Sequence, residues 1–447
     1  MNRRKVAVGL SGGVDSAVSA LLLKQAGFDV VGVHLYCWPP KSEIEKDGIT
    51  REEWIKKNGC RADEDRNFAL KTALELSIPF KVLDFSEEYN QKVIKYFYDE
   101  YKAGRTPNPD VMCNSEIKFG LFLEWALKNG FDYIATGHYA KLEFDSNKSS
   151  LGHIPLSATD NPTSPAEVGH LDSRLEFSPS ENPSNSSLRS VAQRNVAQRS
   201  VLNQNSYLRS VAQITDGLEN HNFSLRIPTD KHKDQTYFLW KLTQKELRHV
   251  LFPLGELKKD EVRKIAEEAH LTVAKRKDSQ GICFVGNVEA RDFLARKLKE
   301  KPGIVVNKEG KAIGSHDGVW FYTIGQRGGW EMTPEAQKEY VKNGETPVFY
   351  VIDKDAKENK LVVGLASQAM EDQFEVSEVN KISKTKWDFN NLKVRIRHGG
   401  ELVPSRVKDE NNVITVILDK PLRGIASGQS AVFYSVEDEC LGGGIIS

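Results

Sequence analysis

The chain has no excess charge: 62 Lys+Arg balance 62 Asp+Glu over 447 residues. No global field draws it to nucleic acid, so an RNA-binding surface must be a local patch offset by acid elsewhere. Cysteine is scarce and scattered. Cys37, Cys60, Cys113, Cys283 and Cys440 never show C-x-x-C spacing, which argues against both a zinc site and a disulfide framework. No apolar run is long enough to span a bilayer. The opening Met-Asn-Arg-Arg-Lys is basic, but the apolar run after it is short and ends in glycines, so it reads as a strand and not a signal peptide. A reducing cytoplasm is the expected compartment. The first glycine turn lacks a Gly-Lys-Ser/Thr ending and does not follow G-x-G-x-x-G, which argues against the usual mononucleotide P-loop and against a dinucleotide site. Even so, 39% hydrophobic residues suffice for a sizeable core, and the length suggests two to four domains.

The chain is organised around residues 5–16. Val6 to Leu10 read as a buried strand, Ser11-Gly12-Gly13 turns, and Val14, Val18, Leu21 and Leu22 share one helical face. Strand, glycine turn and helix make a phosphate cradle, because the first N–H groups of the helix lack partners within it. S-G-G-V-D-S resembles the PP-loop of ATP pyrophosphatases, which split ATP between its α and β phosphates. That resemblance implies that Ser11, Gly12, Gly13 and Ser16 hold phosphate oxygens. Asp15, an acid beside a polyphosphate, makes sense mainly as a magnesium partner.

Val30–Tyr36 reads as a second strand after a Gly27 stop, completing a βαβ unit with a parallel sheet. Leu35 lies near its carboxyl end, where an adenine could pack; a plain core leucine reads equally well. Residues 63–76 and 89–101 are helical, and 80–85 is a strand. In 104–119, the prolines flanking Asn108 predict an extended loop that presents Asn108, Asp110, Cys113 and Asn114 before a helix opens near Ser115. Cys113, near that helix start with Arg105 and Lys118 close in sequence, is either an inert small hydrophobe or a nucleophile of lowered pKa. Tyr133–Thr136 is a fourth strand. Gly137 after it would let a nucleotide touch the backbone, and His138 is either catalytic or a hydrogen-bonded structural histidine.

From 144 to 224 Ser, Asn, Pro and Gln dominate and aromatics nearly vanish. Leu-Arg-Ser-Val-Ala-Gln recurs at 188–193 and 208–213. This is a low-complexity insertion too poor in large apolar residues for a core. An RNA-contacting arm through Arg189, Arg194, Arg199 and Arg209 is the alternative. Lys233, Asp234 and Gln235 precede an aromatic run, as RNA contacts or as a solvated helix cap. Helical periodicity covers 242–251 and 259–270. Lys275, Arg276 and Lys277 precede a turn, with Cys283 in an apolar strand; the positive neighbourhood would favour a thiolate or a persulfide. After Lys301-Pro302 short runs, among them 320–324 and 413–418, alternate with Gly, Asp and Asn turns, as in small barrels or sandwiches. Arg395 and Arg397 alternate with apolar neighbours and would form either a phosphate-binding stripe or an unpartnered basic face. Cys440 reads as structural.

Four motifs carry a wider resemblance: G-L-S-G-G-V-D-S at 9–16, G-R-T-P-N-P-D-V-M-C-N at 104–114, A-T-G-H-Y at 135–139 and D-S-Q-G-I-C-F-V-G at 278–286. With the ending C-L-G-G-G-I-I, the chain resembles the bacterial tRNA-specific 2-thiouridylase family over nearly its whole length, apart from 144–224. The resemblance implies an α/β fold: an N-terminal parallel-sheet PP-loop ATP pyrophosphatase domain, a small central domain and a C-terminal β-barrel. The expected boundaries are 1–250 (with 144–224 the insertion) completed by 271–287, then 288–365, then 366–447.

It also implies a chemistry. ATP with Mg2+ would bind Gly9, Leu10, Ser11, Gly12, Gly13, Val14, Asp15 and Ser16, with Leu35 and Gly137 at the nucleotide and Asp15 at the metal. The wobble uridine would enter flipped out, against Asn108, Pro109 and Asp110, with Asp110 as acid or base. Cys283 would carry a persulfide from a sulfur-relay or cysteine-desulfurase donor, and Cys113 would finish in a disulfide with it. Lys233, Asp234, Gln235, Arg395 and Ile396 would meet tRNA. A cytoplasmic monomer is expected, with no membrane. The rival readings are a PP-loop synthetase or amidotransferase acting on a small molecule, and an RNA-binding module that has lost catalysis. Against the second stand the intact PP-loop and both cysteines.

Overall fold

Val6, Ala7 and Val8 have no exposed surface, as a strand covered on both faces requires. They lie in β1 (Lys5–Gly9), the middle of a five-stranded sheet, in a computed structural model describing residues 3–58, 61–144, 221–278, 283–285, 290–341, 347–384, 386–410 and 413–447. Cys60, Arg189, Arg194, Arg199 and Arg209 fall outside these residues, as does most of the low-complexity insertion.

α1 (Val14–Gln25) buries nine of its twelve residues, more than one apolar face allows. The reason is a second helix, described below, packed on its outer side. β2 (Asp29–Tyr36), α2 (Ala62–Glu75) and β3 (Phe80–Asp84) follow. Two helical runs then span 86–102 and 109–128, each interrupted by π-helical turns, at Asn90–Ile94 and Cys113–Leu121. β4 (Tyr133–Ala135) leads into an antiparallel hairpin of β5 (Lys141–Phe144) and β6 (Phe223–Arg226). Residues 144, 223 and 224, assigned to the insertion on composition, are thus strand residues: Phe144 pairs with Phe223, and Phe223 is buried. β7 (Val250–Leu251) completes the first sheet in the order β3-β2-β1-β4-β7, all parallel. The direction of winding reverses at β1, so a crevice opens at the carboxyl ends of β1 and β4, where open α/β sheets take ligands. α3 (Lys259–Glu268) is the helix against α1.

The 242–251 stretch is not one helix. Thr243 and Glu246 form a capping box that starts a single turn, Gln244–Leu247, and Val250 and Leu251 are drawn into the sheet beside Ile134 and Ala135. β7 is thus a strand of the first sheet, and α3 reaches that layer through its packing on α1.

A second sheet holds β8 (Gly303–Asn307), β9 (Ala312–His316), β10 (Glu331–Met332), β11 (Phe349–Asp355) and β12 (Lys360–Leu365), in the order β10-β9-β8-β12-β11. The 320–324 run is not among its strands. Gly318 at φ 148° turns the chain into a 3-10 turn over Val319–Phe321 instead. The third sheet contains β13 (Met370–Lys381), β14 (Leu392–Arg395), β15 (Val403–Glu410), β16 (Val413–Arg423), β17 (Ser430–Tyr434) and β18 (Glu439–Ile446). Its order is β13-β16-β15-β14-β17-β18, and β13 also pairs with β18, closing a six-stranded antiparallel barrel without a free edge. β18 continues onto β6, with Glu439 opposite Arg226 and Cys440 opposite Leu225. The barrel is therefore hydrogen-bonded to the hairpin inserted between β4 and β7 of the first sheet. Cys440 is fully buried in that strand, the structural place its sequence context suggests.

Candidate active site

The turn after β1 is held by its own serines. Ser11 N–H donates to Ser16 Oγ at 3.1 Å, and Ser16 Oγ donates to the Gly13 carbonyl at 3.1 Å. Gly12 has φ 79°, and a Cβ there would lie 2.4 Å from the Asp65 carbonyl oxygen, so only glycine fits. Arg276 Nη1 donates to the Gly12 carbonyl at 2.6 Å while Nη2 pairs with Asp65 at 2.5 Å. Gly137, after β4, packs against the start of α1: a Cβ would meet Ser16 N at 2.7 Å. Close approach of two backbones accounts for this glycine.

These segments line one cavity of about 490 Å³, the size of a small-molecule site. Gly9, Leu10, Ser11, Gly13, Val14, Asp15 and Ser16 form one wall, Leu35 and Gly137 another. Asp15 accepts from Tyr139 OH at 2.8 Å and from Lys259 Nζ at 2.8 Å on both oxygens. His138 is buried, with Nδ1 2.8 Å from Thr136 Oγ1 and its ring against Phe119. Burial and the Lys118 charge push its pKa well below the ordinary value, so the ring is held neutral at the cavity wall.

The same cavity reaches Cys283. Its Sγ lies 3.4 Å from Cys113 Sγ, although the two residues are 170 positions apart. Cys113 is on a helix that begins earlier than the prolines suggest. Asn108 caps it by accepting from Val111 N–H at 3.3 Å, and Pro109 takes the first helical position, where its missing N–H costs nothing. The expected loop therefore ends at Asn108, and Asp110 stands in the first turn. Asp110 Oδ1 accepts from the Cys283 N–H at 3.2 Å, fixing the second cysteine over the first. The Tyr89 hydroxyl donates to the Cys283 carbonyl at 2.5 Å. Residues 283–285 form a turn and not a strand, with Phe284 at φ 64°.

The electrostatics separate the two thiols. Burial drives the Cys113 thiol up, and the neighbouring Cys283 adds to it. Cys283 is pulled down, first by the Cys113 thiol bonded to it, then by Lys118, against the opposing effect of burial. Burial would lower the Lys118 pKa, but Cys283, Cys113 and Asp110 outweigh that and keep it charged. Asp110 is raised by burial, with Lys118 opposing. The cation at Cys283 is thus Lys118. Arg276, expected to serve Cys283 from the run 275–277, turns to the Gly12 carbonyl and Asp65 instead. Lys118 was legible only as a sequence neighbour of Cys113. The π-helical turn, with its i→i+5 bonding, brings residues five apart onto one face.

The residues expected at tRNA divide. Lys233 and Gln235 line the cavity; Lys233 Nζ bonds Asp278 at 2.8 Å, and Gln235 Oε1 accepts from Tyr139 N–H at 2.9 Å. Asp234 and Arg395 are 3% and 7% exposed and pair with each other at 2.5 Å. Ile396 is buried, and its carbonyl accepts from Tyr237 OH at 3.1 Å. Asp234, Arg395 and Ile396 are thus buried in contacts within the chain. The Arg395–Arg397 stripe is not formed: β14 ends at Arg395, whose side chain turns inward over Tyr434, while Arg397 is exposed. Sequence reasoning gave no role to Lys259, Tyr139 or His398, all at or near the cavity; only Tyr139 lies in a marked segment, the end of A-T-G-H-Y.

Sheet, cradle and cavity together define a nucleotide-using α/β enzyme with two β-rich modules appended. The family model described as tRNA methyl transferase HUP domain matches residues 4–161 and 187–287. The PRC-barrel domain model of the same series matches 291–365, and the aminomethyltransferase beta-barrel domain model matches 371–446. The tRNA-specific 2-thiouridylase MnmA of Streptococcus sanguinis is 36% identical, over 99% of this chain and 95% of that one. That of Bacillus cytotoxicus is 36% identical, over 99% and 94%. The chain belongs to the tRNA-specific 2-thiouridylase family. No helix among the described residues is long and apolar enough to cross a membrane.

Proposed function

We propose that this chain 2-thiolates the wobble uridine of tRNA through an adenylated uridine, with sulfur supplied from a cysteine persulfide. The observation that carries the reading is the 3.4 Å approach of Cys113 and Cys283 beside a cavity continuous with the PP-loop. ATP would lie with its phosphates on Ser11–Ser16 and its adenosine toward Leu35 and Gly137. Asp15 is the carboxylate at the loop. One carboxylate plus substrate phosphates is an ordinary Mg2+ donor set, so Asp15 fits the ion once phosphates draw Lys259 aside. Mg2+ would neutralise phosphate charge there.

The target uridine must leave the anticodon stack to expose C2. Its O2 attacks the α-phosphate and pyrophosphate leaves, which turns that oxygen into part of an AMP leaving group. Cys283 suits the sulfur-carrying role, because its lowered pKa favours the anion that a donor's sulfur would load. Sulfur attacks C2 and AMP departs. Cys113 Sγ then attacks Cys283 Sγ; the bond from Cys283 Sγ to the transferred sulfur breaks, its electron pair goes to the sulfur now on C2, and 2-thiouridine and a Cys113–Cys283 disulfide remain. Asp110, raised by burial and bonded to the Cys283 N–H, positions that residue and is placed to move a proton. Lys233 and Gln235 would meet the anticodon loop at the rim. The donor is a sulfur-relay or desulfurase protein, and the enzyme works as a cytoplasmic monomer. Pyrophosphate release from ATP, followed with and without unmodified tRNA, tests the reading. Release that requires tRNA is expected, whereas equal release without tRNA would favour a small-molecule synthetase.

A further inference from the structure

Asp15 and Asp278 come from opposite ends of the catalytic region and meet on one ammonium. Lys259 Nζ lies 2.8 Å from both Asp15 oxygens and 2.8 Å from Asp278 Oδ1. Asp278 also holds Lys233 Nζ and Arg263 Nη2, each at 2.8 Å. Three cations thus share two carboxylates, so the group carries one positive charge in excess. Lys259 is the member bonded to the PP-loop. Its side chain is 11% exposed, and its backbone N–H is fixed on Asp230 Oδ2 at 2.9 Å. Asp15 has a second donor, Tyr139 OH. The ammonium can therefore move to an anion in the cradle while Asp278 keeps two cations and Asp15 keeps a bond.

We propose that Lys259 is a catalytic residue of the adenylation step, binding the β-phosphate and neutralising pyrophosphate as it departs. The inference rests on the ATP reading above. In that step the uridine O2 forms a bond to the α-phosphorus, and the bond from that phosphorus to the bridging oxygen breaks. The electron pair stays on the bridging oxygen, so negative charge grows on the pyrophosphate. A positioned ammonium acts where that charge develops, and more strongly for being shielded from water. AMP has no β-phosphate, so Lys259 takes no part in holding it.

Calorimetric binding of inorganic pyrophosphate, ATP and AMP to the full chain, in magnesium buffer, tests this with wild type, Lys259→Met and Lys259→Arg. The Met variant should bind pyrophosphate at least about tenfold more weakly, as loss of a charge-assisted bond implies. AMP should bind within about twofold of wild type, and the Arg variant should recover most of the pyrophosphate affinity. Equal pyrophosphate affinity in wild type and Lys259→Met would overturn the role of Lys259 and leave the ATP reading standing. A parallel loss of AMP binding would assign Lys259 to the shape of the loop, and also overturns it. Wild type binding neither ATP nor pyrophosphate would overturn the ATP reading itself. Should Lys259→Met melt early, the double variant Lys259→Met/Asp278→Asn, which removes a carboxylate with the cation, carries the same comparison.

Discussion

Cys283 owes its acidity to two neighbours, the Cys113 thiol that donates to it and the Lys118 ammonium. Replacing Lys118 by Met removes a positive charge, so the Cys283 pKa rises and less thiolate is present at neutral pH. Alkylation of Cys283 by iodoacetamide, followed against pH, should then shift to higher pH, and thiolation should fall by about 10²-fold or more; an unshifted profile would separate Lys118 from the thiol. Asp278 gives a second pH signature. Burial would raise its pKa, but bonds from Lys233 and Lys259 prevail and hold it at about 2, below the ordinary 3.8. As pH falls, the unfolded chain takes up this proton first. The stabilisation is therefore complete above about pH 4 and lost toward about pH 2. Asp278→Asn should flatten that part of the acid unfolding curve. Both cysteines were legible as residues, because each lies in a polar, glycine- or proline-marked segment. Lys118 was legible beside Cys113 but not as the cation at Cys283, since side-chain direction on a π turn is invisible in spacing.

At the scale of the element, the strand–turn–helix of residues 5–25 could be read directly: its apolar run, its glycines and its helical period agree. Gly137 was legible as a special glycine, but its cause is contact between the end of β4 and the start of α1. Gly137→Ala would press a methyl group onto Ser16 N and Asp15 C at under 3 Å. These are backbone atoms that cannot swing aside, so a loss of about 1–3 kcal/mol in stability is expected. Weaker ATP binding should accompany it, both measurable on one preparation by thermal melting and nucleotide titration. The prolines at 107 and 109 misled in one respect. They bar helix before Asn108, yet Pro109 at the first helical position starts one, and this brings Asp110 and Cys113 onto a rigid helix.

Across the whole molecule, alternation and turn residues announced β-rich modules after residue 301, but closure of the last six strands and their junction with β6 depend on pairings between distant segments. The Asp234–Arg395 pair belongs to that level. It looked like surface chemistry in sequence, and it pins the segment after the hairpin to the barrel. Asp234→Ala leaves a buried guanidinium without its carboxylate and should cost about 3–5 kcal/mol. A lower melting temperature is the expected result; normal stability with selectively weakened tRNA binding would return both residues to the RNA surface.

The most direct measurement is mass spectrometry of nucleosides and protein after unmodified tRNA reacts with ATP, magnesium and a limiting persulfide donor. Wild type, Cys113→Ser and Cys283→Ser would be compared. Wild type should yield 2-thiouridine together with a Cys113–Cys283 disulfide, and each serine variant should lose at least about 10³-fold in rate. Undiminished 2-thiouridine from either serine variant would contradict the two-cysteine mechanism.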